Sequence, residues 1–204
     1  MGASLCYQKK TGSNFQSSLI DYTRKYDAAE LEIQIIQPEF TPQEMSIAHY
    51  TWEKLKKRYS NQVGTEIFRK IFSKCPQVKE LFGLQKKADE SALGDSRMSR
   101  HTVIFQDIIE LLIVDLSNKS DTLTQSLVTL GAQHWFFNSR GFRPEYWIVF
   151  GETLVNLIRE LPLNICQRRL ASRSWMKLII YLLECVQLGY VKQMTTNEEE
   201  EEEH

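Results

Sequence analysis

Two histidines stand out because of where they fall. His101 heads a run in which Phe105, Ile108 and Leu112 follow at i+4, i+7 and i+11, and His134 ends a run in which Leu123, Leu127 and Leu130 keep the same spacing. In a helix that spacing puts each imidazole at one end of an apolar stripe. Either one alone reads as a core or boundary residue with its ring nitrogens hydrogen-bonded. Two of them on separate helices admit a second chemistry. A neutral imidazole is a good ligand for iron, and a haem asks for a flat apolar slot with one or two axial nitrogens. Phe68, Phe82 and Phe105 would wall such a slot, or would equally pack as ordinary core aromatics.

The elements that must position these residues are helices. Between Thr41 and about Val191 the apolar residues recur with helical spacing, and alternating strand pattern is almost missing. Thr41-Pro42-Gln43-Glu44 opens the first helix with an N-cap threonine, a proline suited to the first turn and a glutamate placed to close a capping box. Met45, Ala48, Trp52, Leu55 and Tyr59 share its buried face. Val63, Ile67, Phe68, Ile71 and Phe72 mark a second helix, and Pro76 starts a short third one with Val78, Leu81 and Phe82. Gly83 to Asp95, charged at Lys86, Lys87, Asp89 and Glu90, reads as a polar loop. The two histidine helices follow, separated by the turn Ser117 to Ser120. Pro144 opens a helix with Trp147, Phe150, Leu154 and Leu161 inward, and Pro162 closes it. A last helix carrying Trp175, Leu178, Ile179, Leu182 and Val186 is expected to end near Gly189. The expectation is one all-α domain over 41–192, with an N-terminal tail over 1–40 and an acidic C-terminal tail over 193–204.

Composition narrows the function classes. With 42% hydrophobic and 25% charged residues in 204, the chain has material for one core of about 150 residues and is neither disordered nor fibrous in character. The net charge of -1 conceals a run of glutamates over 198–203; the remainder is mildly basic, too little to argue for nucleic acid. Cys6, Cys75, Cys166 and Cys185 show no paired or metal-ligand spacing, which argues against a disulfide framework or zinc site and for a reducing compartment. Asp107, Glu110 and Asp115 break one long apolar stretch, and Lys177 and Glu184 another, so no membrane span is expected. Residues 1–20 lack the apolar run of a secretory signal. The expected setting is intracellular and cytoplasmic.

From Trp52 to about Val186 the sequence resembles a globin. Ile71-Phe72-Ser73-Lys74-Cys75-Pro76, with Phe82 six residues after the proline, resembles the junction of the B and C helices and the phenylalanine that packs on the haem. Met98-Ser99-Arg100-His101 resembles the start of the E helix at the distal position, with Phe105 one turn on. Leu130-Gly131-Ala132-Gln133-His134 resembles the end of the F helix with the proximal histidine. Arg140-Gly141-Phe142-Arg143-Pro144-Glu145-Tyr146-Trp147, followed by Phe150-Gly151-Glu152, looks like the start of the G helix in nematode neural globins. Single motifs of this kind are weak. Several in the right order are strong.

The resemblance implies a globin fold, a three-on-three helical sandwich, holding haem b (iron protoporphyrin IX). It implies His134 as proximal iron ligand and His101 on the distal side, with Phe68, Phe82, Phe105 and Leu130 as haem contacts. Phe68 falls at the B-helix position where some globins use tyrosine, and phenylalanine donates no hydrogen bond. His101 then either stands off to hydrogen-bond a gas or takes the sixth coordination site itself. With Phe68 and Phe105 filling the pocket, and with the likeness to six-coordinate neuroglobin-like and nematode members, direct coordination is the leading expectation. The expected function is one-electron redox, electron transfer or redox signalling with an unidentified partner, rather than classical enzyme catalysis, with redox activity through the haem iron left open. The rival readings are a reversible carrier or store of dioxygen or another diatomic gas, and a haem-based gas sensor.

The N-terminus is read separately. Gly2 supplies the glycine that N-myristoylation needs, although Cys6 stands where the usual pattern has Ser or Thr; Cys6 offers a second acylation site, and Lys9 and Lys10 favour anionic lipid, so dual acylation and attachment to the cytoplasmic face of a membrane are expected. Thr11 to Gln37 has only a short apolar end, Leu31 to Ile36, and reads as a spacer. The glutamate run reads as a solvated tail, since like charges resist packing.

Overall fold

The computed structural model describes residues 35–115 and 121–202, with side chains described as far as Asn197. Gly2, Cys6, the turn Ser117 to Ser120 and the side chains of Glu198 to Glu203 lie outside the described residues. Helices α1 (Pro42–Arg58), α2 (Val63–Lys74), α3 (Asp89–Leu93), α4 (Ser96–Asp115), α5 (Asp121–Trp135), α6 (Glu145–Arg159) and α7 (Ile165–Glu202) follow in order. Short 3-10 segments at Pro76–Phe82 and Asn138–Arg140 join them, and no strand occurs among the described residues.

The start of α1 takes the form its sequence predicts. Thr41 accepts from the Glu44 backbone N–H at 3.2 Å, and the Glu44 carboxylate accepts from the Thr41 N–H at 3.0 Å, which closes the capping box. The inward face of α1 then buries Ile47, Ala48, Trp52 and Leu55. Thr51 accepts from the Trp175 indole N–H at 2.8 Å, and the Trp52 and Trp175 rings stand 5.9 Å apart, so α1 is keyed to α7 by an aromatic pair with its polar edge satisfied.

Two expectations need correcting. The stretch Gly83 to Asp95 is not only a polar loop: it contains α3, with Leu84, Ala92 and Leu93 buried. Its charged residues sit outward and pin the segment, through Lys79–Asp89 at 2.7 Å, Arg69–Glu90 at 2.9 Å and Lys87–Asp95 at 2.8 Å. Three apolar residues scattered among charges are too few to raise a periodic signal. The last helix does not stop near Gly189 either, but continues to Glu202.

Gly189 serves a crossing, not a cap. The most extensive packing in the molecule is between α5 and α7. A Cβ on Gly131 would come within 1.9 Å of the Val186 carbonyl oxygen, and one on Gly189 within 1.8 Å of the Val128 carbonyl oxygen. Rising numbers on α5 thus meet falling numbers on α7, so the helices are antiparallel, and the glycines let their backbones touch. Among the described residues no helix is long and apolar enough to cross a membrane.

Candidate functional site

The site is assembled from two sides. On the first, α2 and α4 cross where a Cβ on Gly64 would sit 2.1 Å from the Thr102 carbonyl oxygen, so the backbones are in contact one residue beyond His101. The Gln106 side chain of α4 accepts from the Val63 and Gly64 backbone N–H groups at 3.1 and 3.4 Å, supplying the N-terminal cap that Gln62 does not give α2. One turn beyond Gly64, Phe68 reaches the His101 ring at a centroid distance of 5.2 Å. Phe82 approaches the same imidazole at 5.0 Å. Arg97, one turn ahead of His101 on α4, donates to the Phe82 carbonyl at 2.7 Å, and Gly83 turns the chain with φ 64° just after it. Phe105 lies 6.1 Å from Phe68 and 4.4 Å from Phe150 on α6.

The structure therefore gathers Phe68, Phe82 and Phe105 around or beside His101. Among the described residues the His101 ring makes no hydrogen bond. Burial, with the neighbouring His134 imidazole adding to it, pushes its pKa down to about 4, so the ring is neutral at physiological pH.

On the second side, His134 ends α5. Its Nδ1 donates to the Leu130 carbonyl at 2.7 Å, which leaves Nε2 as the unprotonated nitrogen of a neutral ring. Burial lowers the His134 pKa, the Leu130 carbonyl working in the opposite direction. Phe142 lies 5.2 Å from this ring, Trp147 5.4 Å and Phe137 6.1 Å. Tyr190 of α7 backs Phe142 and Trp147 at 5.9 and 5.8 Å. Leu130 is packed against the core and also supplies the carbonyl that orients His134.

Sequence reasoning missed part of this surround. Arg97, which ties Phe82 down, and the second aromatic cluster of Phe137, Phe142, Trp147 and Tyr190 were not singled out for the site. The pair Phe136-Phe137 beside Arg140 was the available signal, since adjacent aromatics in a turn after a helix have no periodic reason to be there.

What these groups could hold is narrowed by what accompanies them. Among the described residues no three His, Cys, Asp or Glu side chains cluster as a bare-ion site. Two neutral imidazoles in an aromatic surround suit an iron that brings its own planar donors. The amide nitrogen of Gln187, one turn before Tyr190 on α7, is also buried with no partner among the described residues, a donor left over on the His134 side of the bundle.

A family model described as Globin matches residues 65–180, a stretch containing both histidines and more than half of the chain. A globin-related protein of Caenorhabditis elegans, glb-13, is 25% identical over 152 residues, covering 74% of this chain and 52% of that protein. The chain thus spans about half the length of the curated relative it matches. The helical order, the pair of half-buried neutral imidazoles and the family match agree, and the chain belongs to the globin family of haem-binding proteins.

Proposed function

We propose that this globin holds haem b between His134 and His101 as its two axial donors, and that it works in one-electron redox or electron transfer, with gas binding secondary. The observation that supports this most is the state of His101. Its ring is neutral, makes no hydrogen bond among the described residues, and is flanked by Phe68 and Phe82 at 5.2 and 5.0 Å. A half-buried imidazole among phenylalanines, left without a partner, is costly unless something else takes its nitrogen.

In this reading Phe68, Phe82 and Phe105 line the distal face, while Leu130 and the cluster of Phe137, Phe142 and Trp147 line the proximal one. A haem iron held by two nitrogen ligands supplies a centre that changes oxidation state by one electron with little rearrangement. The protein's part is to keep both rings neutral, to fix the His134 tautomer through Leu130, and to exclude water with phenylalanine on the distal side. Absorption spectra of the purified protein test this. Sharp, split visible bands are expected in the ligand-free ferrous state. A broad five-coordinate band would overturn the double ligation, and a stable oxygenated form that oxidises slowly would favour a carrier.

A separate proposal rests on the sequence alone. Gly2 and Cys6 are myristoyl and palmitoyl acceptors, since one acyl chain holds a protein on a membrane only marginally. Gly2→Ala is expected to lower the membrane-bound fraction in cells, and an unchanged fraction would reject it.

A further inference from the structure

At one end of the bundle three departures from ordinary helix chemistry coincide. Arg58 donates to the Glu160 carbonyl oxygen at 3.2 Å, which brings the carboxyl end of α1 against that of α6, and the turn after Glu160 runs directly into α7. Lys57, Arg58, Arg159, Arg168 and Arg169 therefore share this end, and all are exposed. None of them holds a carboxylate among the described residues, and the acid beside them, Glu160, is engaged by Lys70 at 3.2 Å. Elsewhere Arg69, Lys79, Arg97 and Lys177 each have a carboxylate within 2.9 Å. Unpaired cations gathered on one corner repel one another and attract an external anion.

Helix ends account for only part of this. Lys57, Arg58 and Arg159 close their helices, where the dipole favours cations. Arg168 and Arg169 open α7, where it favours anions. That end is capped by neutral amides: the Asn164 side chain accepts from the Gln167 N–H at 2.9 Å, the Gln167 side chain accepts from the Asn164 N–H at 3.2 Å, and no acidic residue occupies the first turn. Arg168 donates to the Leu163 carbonyl at 3.2 Å, while Arg169 makes no hydrogen bond among the described residues. Beside them Ile165, the first residue of α7, is 67% exposed. Self-repelling charge, set partly at the wrong helix end around a solvated aliphatic side chain, works against stability and so points to a use outside the fold.

We propose that this corner of the molecule docks on an anionic lipid bilayer, the cations lying over the headgroup phosphates and Ile165 entering the boundary between headgroups and acyl chains. Each lysine or arginine held near an anionic leaflet adds to the attraction, and an aliphatic side chain among them supplies the apolar contact that a bilayer accepts. A single-stranded nucleic acid calls instead for rings on which bases stack, and the apolar residue at the centre of this patch has no such face. The corner shares no residue with the histidine site, so the inference is independent of how haem is ligated. It also requires no acyl chain on Gly2 or Cys6.

The test uses the full haem-loaded chain carrying Gly2→Ala and Cys6→Ser, so that no lipid is attached, with vesicles of phosphatidylcholine containing either no phosphatidylserine or about one-third of it. Cosedimentation should show at least about tenfold tighter binding to the charged vesicles. Arg168→Glu with Arg169→Glu should remove at least about tenfold of that affinity, whereas the same change of net charge at Lys86→Glu with Arg143→Glu should cost less than about threefold. Ile165→Ser should weaken binding about fivefold and leave its salt dependence unaltered. Helical content by circular dichroism should be the same throughout, because every altered side chain of the globin domain is exposed. Indifference to phosphatidylserine, equal losses from the two double reversals, or full affinity in Ile165→Ser would each overturn the proposal. So would a parent that ignores these vesicles yet binds polyglutamate through Arg168 and Arg169, which would assign the corner to an acidic protein.

Discussion

His134 Nδ1 lies 2.7 Å from the carbonyl oxygen of Leu130, one turn earlier on α5. A carbonyl oxygen only accepts, so Nδ1 carries the proton and Nε2 keeps its lone pair; the bond also resists rotation of the ring. If Nε2 is the proximal iron ligand, His134→Gly should lose most of the haem that survives purification while keeping its helical content. Added imidazole should restore binding in part. The ratio of haem to protein absorbance reads the first effect and circular dichroism the second. Full haem retention in the variant would remove His134 from the ligand set.

The distal side makes a different demand. His101→Leu should convert the ferrous, ligand-free spectrum to a five-coordinate one and should speed carbon monoxide binding by at least about tenfold, because no internal ligand has to leave first. Arg97→Ala acts at one remove, since it frees the Phe82 carbonyl that Arg97 holds at 2.7 Å. It should give a smaller change of the same sign, without loss of haem. Identical carbon monoxide kinetics in His101→Leu and the parent would show that His101 never occupies the iron.

Much of this arrangement was legible because helical periodicity reports burial directly. The Thr41 and Glu44 box, the face carrying Trp52 and Leu55, and the histidines at the ends of their stripes all follow from residue type and spacing. What escaped depends on contacts between elements. Gly189 looks like a helix stop by composition, and only the approach of Val128 from α5 reveals it as a crossing point. Helix α3 buries Ala92 and Leu93 in the core and is tied outside it by ion pairs to Lys79 and Arg69, partners that no local window contains. The aromatic surround of His134 comes from a turn and from α6, backed by Tyr190 of α7, three segments with no shared period.

The Glu44 carboxylate predicts an acid limit. Its burial opposes ionisation, but Lys177 at 2.9 Å, together with the Thr41 backbone and hydroxyl, outweighs this and lowers its pKa to about 2. Arg173 stands at 3.0 Å as well. A carboxylate depressed from 4.5 contributes stability that is present above that pH and lost as pH falls through about 2. Both cations are substantially exposed, so the contribution is about 1 kcal/mol rather than the full value of the shift. Glu44→Gln should lower the urea midpoint at neutral pH, and its difference from the parent should shrink as pH drops from 4.5 towards 2. A difference that does not change with pH would mean that the capping geometry, not the charge, is what matters.

The antiparallel crossing of α5 and α7 yields the sharpest stability prediction. At Gly131 and Gly189 an added methyl group would have to displace the backbone carbonyl of the opposite helix, at 1.9 and 1.8 Å, and no rotamer change can relieve that. Gly131→Ala and Gly189→Ala should each cost about 2–3 kcal/mol in denaturant unfolding. Gly94→Ala is the control. Its nearest atom, the Glu90 carbonyl oxygen, is at an ordinary 3.5 Å, and its φ of -77° suits any residue, so the change should stay within about 1 kcal/mol of neutral. Because α5 ends in His134, forcing the two helices apart should also move that imidazole. Haem transfer to an acceptor protein should therefore be faster in the Gly131 and Gly189 variants than in the Gly94 variant, even in buffer where all three remain folded. If the crossing variants lost stability but released haem no faster than the control, α5 would be bracing the fold without positioning its histidine.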